Sequence, residues 1–237
     1  MTRLSRRFTV ITSLLAVVMA CAFAPLNSFA GTTTSRFIVF HASPDAPNID
    51  VYANGKLISA DLAFGYFDGV FTVPSGDYKV QIYAAGADPS KDKPVIDQTQ
   101  TLEPGTDYNL ILAGNLADLS LLVIAEPSAP KRGYANVRIV NLTPGSPAID
   151  LVDETKGPLV AGVAFKQDKL ETLTTGNYVL SLHESGTTNV LEDYGPVTLQ
   201  SRNYTVYYLA VPAVAAKAVK PNAKPTKRMI LKTFGKK

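Results

Sequence analysis

The chain has no tryptophan, a single cysteine and only two histidines in 237 residues. Cys21, the one cysteine, excludes a disulfide framework within the chain and a cysteine metal site. His41 and His183 lie too far apart in sequence to form a recognisable metal-binding pair. Without tryptophan the chain lacks the strongest stacking residue for sugar rings, although 11 tyrosines offer a partial substitute. No glycine-flanked elbow serine and no phosphate-cradling glycine loop occur, so neither a serine-hydrolase nor a nucleotide motif is present. "DPSKD", Asp88 to Asp92, lacks the glycine and the terminal bidentate glutamate of a calcium loop. Beyond the N-terminal run, no segment approaches the roughly 20 apolar residues of a membrane span.

That N-terminal run is the first positive feature. Arg3, Arg6 and Arg7 precede an uncharged stretch from Phe8 to Phe23, and Ser28 and Ala30 follow at the spacing of a peptidase site. The pattern predicts a cleaved signal peptide over residues 1–30 and an exported protein, whether periplasmic, at the cell surface or extracellular. A lipoprotein anchored at Cys21 is the alternative, and "SRRFTV" bears only a faint twin-arginine likeness. Charge is divided unevenly behind it. All 20 acidic residues lie between Gly31 and Val211, whereas Pro212 to Lys237 is basic throughout. Such a tail suits an anionic surface, the chain's own acidic body, or a solvated spacer, and nothing in it specifies nucleic-acid recognition.

The body is patterned as strands, with apolar or β-branched residues alternating over five to eight positions between turn residues. Strands are predicted over 36–42, 48–59, 69–84, 94–102, 106–114 and 119–126. Asn54-Gly55 predicts a two-residue hairpin, and Gly76 supplies the reversal in "VPSGDY". The second half repeats the first. Pro44, Pro47, Ile49 and Asp50 match Pro144, Pro147, Ile149 and Asp150, and Gly76 and Tyr78 match Gly176 and Tyr178. "TLEPGTDYNLIL" matches "TLQSRNYTVYYL", pairing Tyr108 with Tyr204.

The expected architecture is all-β: two tandem antiparallel β-sandwiches of immunoglobulin-like type, at 31–126 and 134–237, joined by a linker over 127–133. A Pro/Lys-rich insertion over 212–226 separates the second sandwich from a last strand at 228–234, the rival being a basic tail outside the fold.

Residues held in both halves are read first as fold requirements. Pro44, Pro47, Pro144 and Pro147 fix φ, withhold donors and force an extended crossing between sheets. Asp50 and Asp150 flank that crossing, where a short carboxylate accepts from turn amides or, alternatively, binds a ligand or metal. His41 and Asp45 differ, since Asn141 and Gly145 replace them. With Asp50 they form the candidate ligand loop. Asn141 and Asn203 each begin a short glycosylation-acceptor pattern.

"HASPDAPNIDVYANGKL", "FTVPSGDYKVQIY" and "TLEPGTDYNLILAG" together resemble the bacterial family known as domain of unknown function 4397. The resemblance covers most of the first half and is looser in the second. It implies exported, often tandem β-rich domains at the bacterial envelope and supplies no catalytic residue or cofactor. The expected function is a non-catalytic binding or adhesion module for an envelope protein or glycan. The alternatives are a structural or assembly component of the envelope and a carboxylate-dependent hydrolase.

Overall fold

The computed structural model describes residues 34–209, 228–229 and 232–234. The expected signal peptide with Cys21, and the insertion 212–226, lie outside the described residues. The described residues all fall within one compact unit.

The described chain is built of strands, with one 3-10 turn at Leu116–Asp118. In the first half they are β1 (Thr34–Ala42), β2 (Ile49–Ala53), β3 (Lys56–Leu62), β4 (Phe67–Pro74), β5 (Gly76–Ala84), β6 (Ile96–Leu102), β7 (Asp107–Ala113) and β8 (Ser120–Ala125). In the second half follow β9 (Tyr134–Asn141), β10 (Ile149–Asp153), β11 (Gly157–Val163), β12 (Asp168–Thr174), β13 (Gly176–Glu184), β14 (Val190–Leu199), β15 (Asn203–Leu209), β16 (Arg228–Met229) and β17 (Lys232–Phe234). Asn54 and Gly55 both take positive φ between β2 and β3, the conformation that makes asparagine-glycine a tight hairpin.

The same strand order occurs in both halves. Sheets β4-β1-β7-β8 and β3-β2-β5-β6 of the first are answered by β12-β9-β15-β16 and β11-β10-β13-β14 of the second, with β17 also on β15. The expectation of wholly antiparallel sheets needs one correction in each half. β1 and β7 pair in parallel, as do β9 and β15. The reason lies in the crossings between sheets. β6 ends in the second sheet near the start of β1, so β7 enters the first sheet from the same end and runs alongside β1, with Asp107 opposite Arg36.

Side chains alternate across each strand, and in these central strands both faces are covered. Phe37 and Val39 of β1, with Leu110 and Leu112 of β7, enter the first core beside Ile49, Val51 and Ile82. Val137, Ile139, Val206 and Tyr208 do the same in the second core. The intervening residues point the other way and meet in a third cluster: Phe40, Ala42, Ile111 and Ala113 against Val140, Leu142, Tyr207 and Leu209. Four sheets are thereby stacked, with the two central ones packed face to face across a seam. This explains why β1, β7, β9 and β15 read as nearly continuous apolar runs, as strands covered on both faces do.

The segment 127–133, expected as a linker, is held at the seam. Asn203 Nδ2 donates to Pro127 O at 2.7 Å and Asn136 Nδ2 to Ser128 O at 3.0 Å. At the opposite end of the seam Lys166 Nζ donates to Asp118 O, Asp118 Oδ2 and Ser120 Oγ, each at 2.8 Å. Gly114 makes this approach feasible: its φ is +105°, and an added Cβ would collide with the carbonyl of Asp118.

Gly114→Ala is expected to lower stability by about 2–4 kcal/mol, combining positive-φ strain with backbone displacement. Gly105→Ala, where an added Cβ meets nothing within 4 Å, should cost about 1 kcal/mol. Urea denaturation of both variants checks the difference, and equal losses would contradict the role assigned to Gly114.

Candidate functional site

Because β1 and β7 are parallel and antiparallel to their other neighbours, one end of the first half gathers loops 43–48, 63–66, 85–95 and 114–119. Loops 142–148, 164–167 and 185–189 occupy the corresponding end of the second half, beside them across the seam. The proline motifs of both halves lie in this loop end.

His41 is wholly buried. Its Nε2 lies 2.9 Å from Pro47 O, and its Nδ1 accepts from Ser43 N at 3.3 Å. A carbonyl can only accept, so Nε2 carries the hydrogen and the ring is neutral. Burial is the main reason its pKa falls below the ordinary histidine value, against the opposing effect of the Pro47 carbonyl. Asn141 does the same work in the second half. Its Nδ2 donates to Pro147 O at 3.2 Å, and its Oδ1 accepts from Thr143 N at 3.2 Å. The residue that set the two loops apart in sequence is therefore a like-for-like bracket.

Asp50 is likewise committed. Its Oδ1 accepts from Asp61 N at 2.8 Å and its Oδ2 from Gly86 N at 2.9 Å. Asp150 repeats this with Gly162 N at 2.6 Å and Gly186 N at 3.1 Å. Asp61 and Gly162 have positive φ and sit at register shifts between β2 and β3 and between β10 and β11. Each carboxylate thus fastens a β-bulge and the β5–β6 or β13–β14 turn to the crossing. Burial pushes the Asp150 pKa up, but donors from Gly162, Ser185 and Gly186, with the field of His183, bring the net value below the usual carboxylate range.

Asp45 is exposed, and its Oδ1 accepts from Leu116 N at 2.8 Å, tying loop 43–48 to loop 114–119. Gly145 stands in its place with φ +74°. Pro44 is buried, Pro47 and Pro147 are exposed and Pro144 is half-buried, all within the crossings between sheets. Gly76 and Gly176 open β5 and β13 with φ +138° and +150°. Beside them Tyr78 Oη donates to Pro74 O at 2.8 Å and Tyr178 Oη to Thr174 O at 2.7 Å. Tyr108 and Tyr204 each accept at Oη from a backbone amide, Glu103 N and Gln200 N, both at 2.8 Å.

His41, Asp45 and Asp50 each serve different partners, and among the described residues no three acidic, histidine or cysteine side chains are grouped to hold a metal. The carboxylates of "DPSKD" close on their own loop, Asp88 with Ser90 and Lys91, Asp92 with Asp88 N. Asn141 and Asn203 are buried and bonded, which removes both glycosylation patterns from the folded surface.

One arrangement was not legible in sequence. Ser181 Oγ lies 2.9 Å from His183 Nε2, and His183 is the cross-strand partner of Asp150. Ser181 is buried, however, and both Asp150 oxygens accept from backbone amides, so the three do not form a hydrolytic relay. The i, i+2 spacing of Ser181 and His183 on one strand is the signal that could have found the pair.

His41→Asn should stay within about 1 kcal/mol of the parent, because Asn141 makes the same bracket, whereas His41→Ala should cost about 1–3 kcal/mol. The stability His41 contributes is full above the ordinary histidine pKa and is lost as pH falls below it. His41→Asn should flatten that part of the stability curve, measured by thermal melting between mildly acidic and neutral pH. Asp50→Ala and Asp150→Ala should each cost about 1–3 kcal/mol at neutral pH. Since the Asp150 pKa is depressed, its contribution is present above the unfolded aspartate value and is lost as pH falls through the folded one. An unchanged acid limb in Asp150→Ala would contradict this.

No curated protein matches the chain. Among solved structures it is similar to a family 26 carbohydrate-binding module of Eubacterium rectale Amy13K, crystallised with maltoheptaose, at 12% identity, covering 73% of this chain and 91% of that one, with a TM-score of 0.25. It is also similar to the TIE protein of Bacillus anthracis, at 10% identity over 75% and 33% of the two chains and a TM-score of 0.23. A DUF3823 family protein from Bacteroides ovatus is 12% identical over 72% and 100%, with a TM-score of 0.20. At these scores none of them carries a function to the chain. Residues 35–152, which span the first half and run into β10, match the family model described as Domain of unknown function (DUF4397), and that match supports the chain's membership of the family.

Proposed function

We propose that the chain is an exported, non-catalytic binding module of the cell envelope, built as tandem immunoglobulin-like sandwiches, and that it meets an envelope protein or glycan with its loop end. One observation carries this reading: Asp45, which distinguishes the first proline motif, holds the loop bearing exposed Leu116, at a loop end that also exposes Tyr66. Asp45 Oδ1 accepts from Leu116 N, whereas the backbone bond from His41 N to Tyr66 O is repeated in the second half by Asn141 N and Gln167 O. Tyr66 is 55% exposed and Leu116 49%. Val95 and Val190 add exposed apolar surface at the same end. The polar groups of the motif are spent on backbone amides, so what remains for a partner is a rigid rim bearing an aromatic and aliphatic side chains. A preordered rim loses little conformational freedom on binding. The basic residues of 212–237 add attraction to an anionic surface.

Co-sedimentation with isolated envelopes tests the reading. Saturable binding is expected, with Tyr66→Ser/Leu116→Ser weakening it about tenfold, or about 1.4 kcal/mol, while the melting temperature stays near that of the parent. Deleting 212–237 would strip β16 and β17 from β15, so Lys217, Lys220 and Lys224 are better changed to Gln, which should reduce the salt dependence of binding. Binding indifferent to Tyr66 and Leu116 would sink the assignment of the rim. Release of sugar or peptide products from the envelopes would favour an enzyme.

A further inference from the structure

The seam has a polar end, away from the loops, and it contains a carboxyl group with an unusual set of neighbours. Glu126 directly follows β8. Asn109 Nδ2 on β7 donates to Glu126 Oε1 at 2.5 Å, and Thr205 Oγ1 on β15 approaches the same oxygen at 3.4 Å. The two remaining acceptors of this acid and amide, Glu126 Oε2 and Asn109 Oδ1, are buried with no hydrogen-bond partner. Both need a donor, and both belong to the partners of one existing hydrogen bond. A single proton on Oε2 satisfies the pair, because an acid and a primary amide can form a ring of two hydrogen bonds.

We propose that Glu126 is held as a neutral acid in the folded protein, donating Oε2–H to Asn109 Oδ1, and that this ring is a pH-dependent latch on the seam between the two halves.

The charged groups around it bear this out on balance. Arg138 on β9 favours the ionised form; its Nη1 is engaged by Asp168 of β12 and its Nη2 by Ala125 O, while its Nε is buried with no hydrogen-bond partner. Asp107 on β7 opposes ionisation and is itself paired with Arg36 of β1. Tyr207 on β15 contributes a neutral phenol, since burial raises its pKa above the ordinary tyrosine value, and its Oη is likewise buried with no hydrogen-bond partner. Desolvation is the largest influence on Glu126 and raises its pKa, outweighing the lowering by Asn109, Arg138 and Thr205. The position gives the ionisation its consequence. Glu126 N donates to Asp107 O, and the next two carbonyls, of Pro127 and Ser128, are held by Asn203 and Asn136 of the second half. Deprotonation places a buried anion beside the oxygen of Asn109 at the point where the halves are joined.

A group with a raised folded pKa contributes stability that is full below its unfolded pKa and is lost as pH rises through the folded one. Thermal melting of the full chain from mildly acidic to mildly alkaline pH should therefore show a falling melting temperature. The folded-to-unfolded ratio should drop about tenfold for each unit by which the pKa is raised. Glu126→Gln keeps both hydrogen bonds with no proton to lose, so it should match the parent at acid pH and lack its alkaline decline. Hydrogen exchange at residues 127–133 should quicken with pH in the parent beyond the intrinsic chemical rate, and not in Glu126→Gln. Infrared spectra of the parent alone supply a test that needs no variant. A protonated-carboxyl band should persist above the pH at which ordinary glutamates ionise. Its absence there, or Glu126→Gln less stable than the parent at every pH, would mean an ionised Glu126 serving Arg138 and would overturn the latch.

Discussion

The contact of Tyr207 with Phe40 and Phe67 across the seam is the constraint on which the rest of the structure depends. Phe40 and Phe67 stack with centroids 4.0 Å apart, and Tyr207 lies 5.3 and 5.5 Å from them. Burying these rings commits the outer faces of both central sheets, so β1, β7, β9 and β15 have no solvated side. Two sandwiches that shared only a tether would expose this surface, and an apolar face of that extent on a soluble unit invites association. The held segment 127–133 and the Lys166 contacts with Asp118 and Ser120 follow from the same packing, since each closes one end of a seam already fixed in its middle.

Much of this was legible in the sequence, for reasons that can be named. Strand positions followed from alternation, and the Asn54-Gly55 hairpin from the positive φ that few other pairs tolerate. The paired prolines lie where the chain passes from one sheet to another, and a residue with fixed φ and no donor cannot continue a ladder. The parallel pairs were not legible. They arise from which end of a sheet the chain re-enters, a property of the crossings and not of any strand. Nor was the seam, although its signal was present in β1 and β7, whose unbroken apolar runs fit strands covered on both faces better than strands of a half-solvated sandwich.

The loop motif shows why composition misleads at single positions. His41 and Asn141 differ in chemistry, and a difference between two otherwise matching loops suggests specialised function. In the fold both span the same gap, each with one nitrogen donating to a proline carbonyl and one acceptor facing an amide two residues on. Shape and hydrogen-bond polarity were kept while the residue type changed. The functional contrast passes instead to what the loop supports, since Asp45 has Leu116 beside it while Gly145 carries no side chain with which to hold a second loop.

The same logic orders the differences between the halves as a whole. Positions facing the two inner cores stay apolar in both, as in Phe37 and Val137, Val39 and Ile139, or Leu110 and Val206. Positions facing the seam do not match. Phe40 corresponds to Val140, Ile111 to Tyr207 and Ile38 to Arg138, so one face presents aromatic bulk where the other presents a single ring and an ion pair. Two identical faces could pair equally well with a second copy of themselves. Unlike faces fit each other better than themselves, and the buried polar groups at one end penalise any sliding that would leave them unmatched. The divergence at the seam is therefore what makes the first half pair with the second half of its own chain.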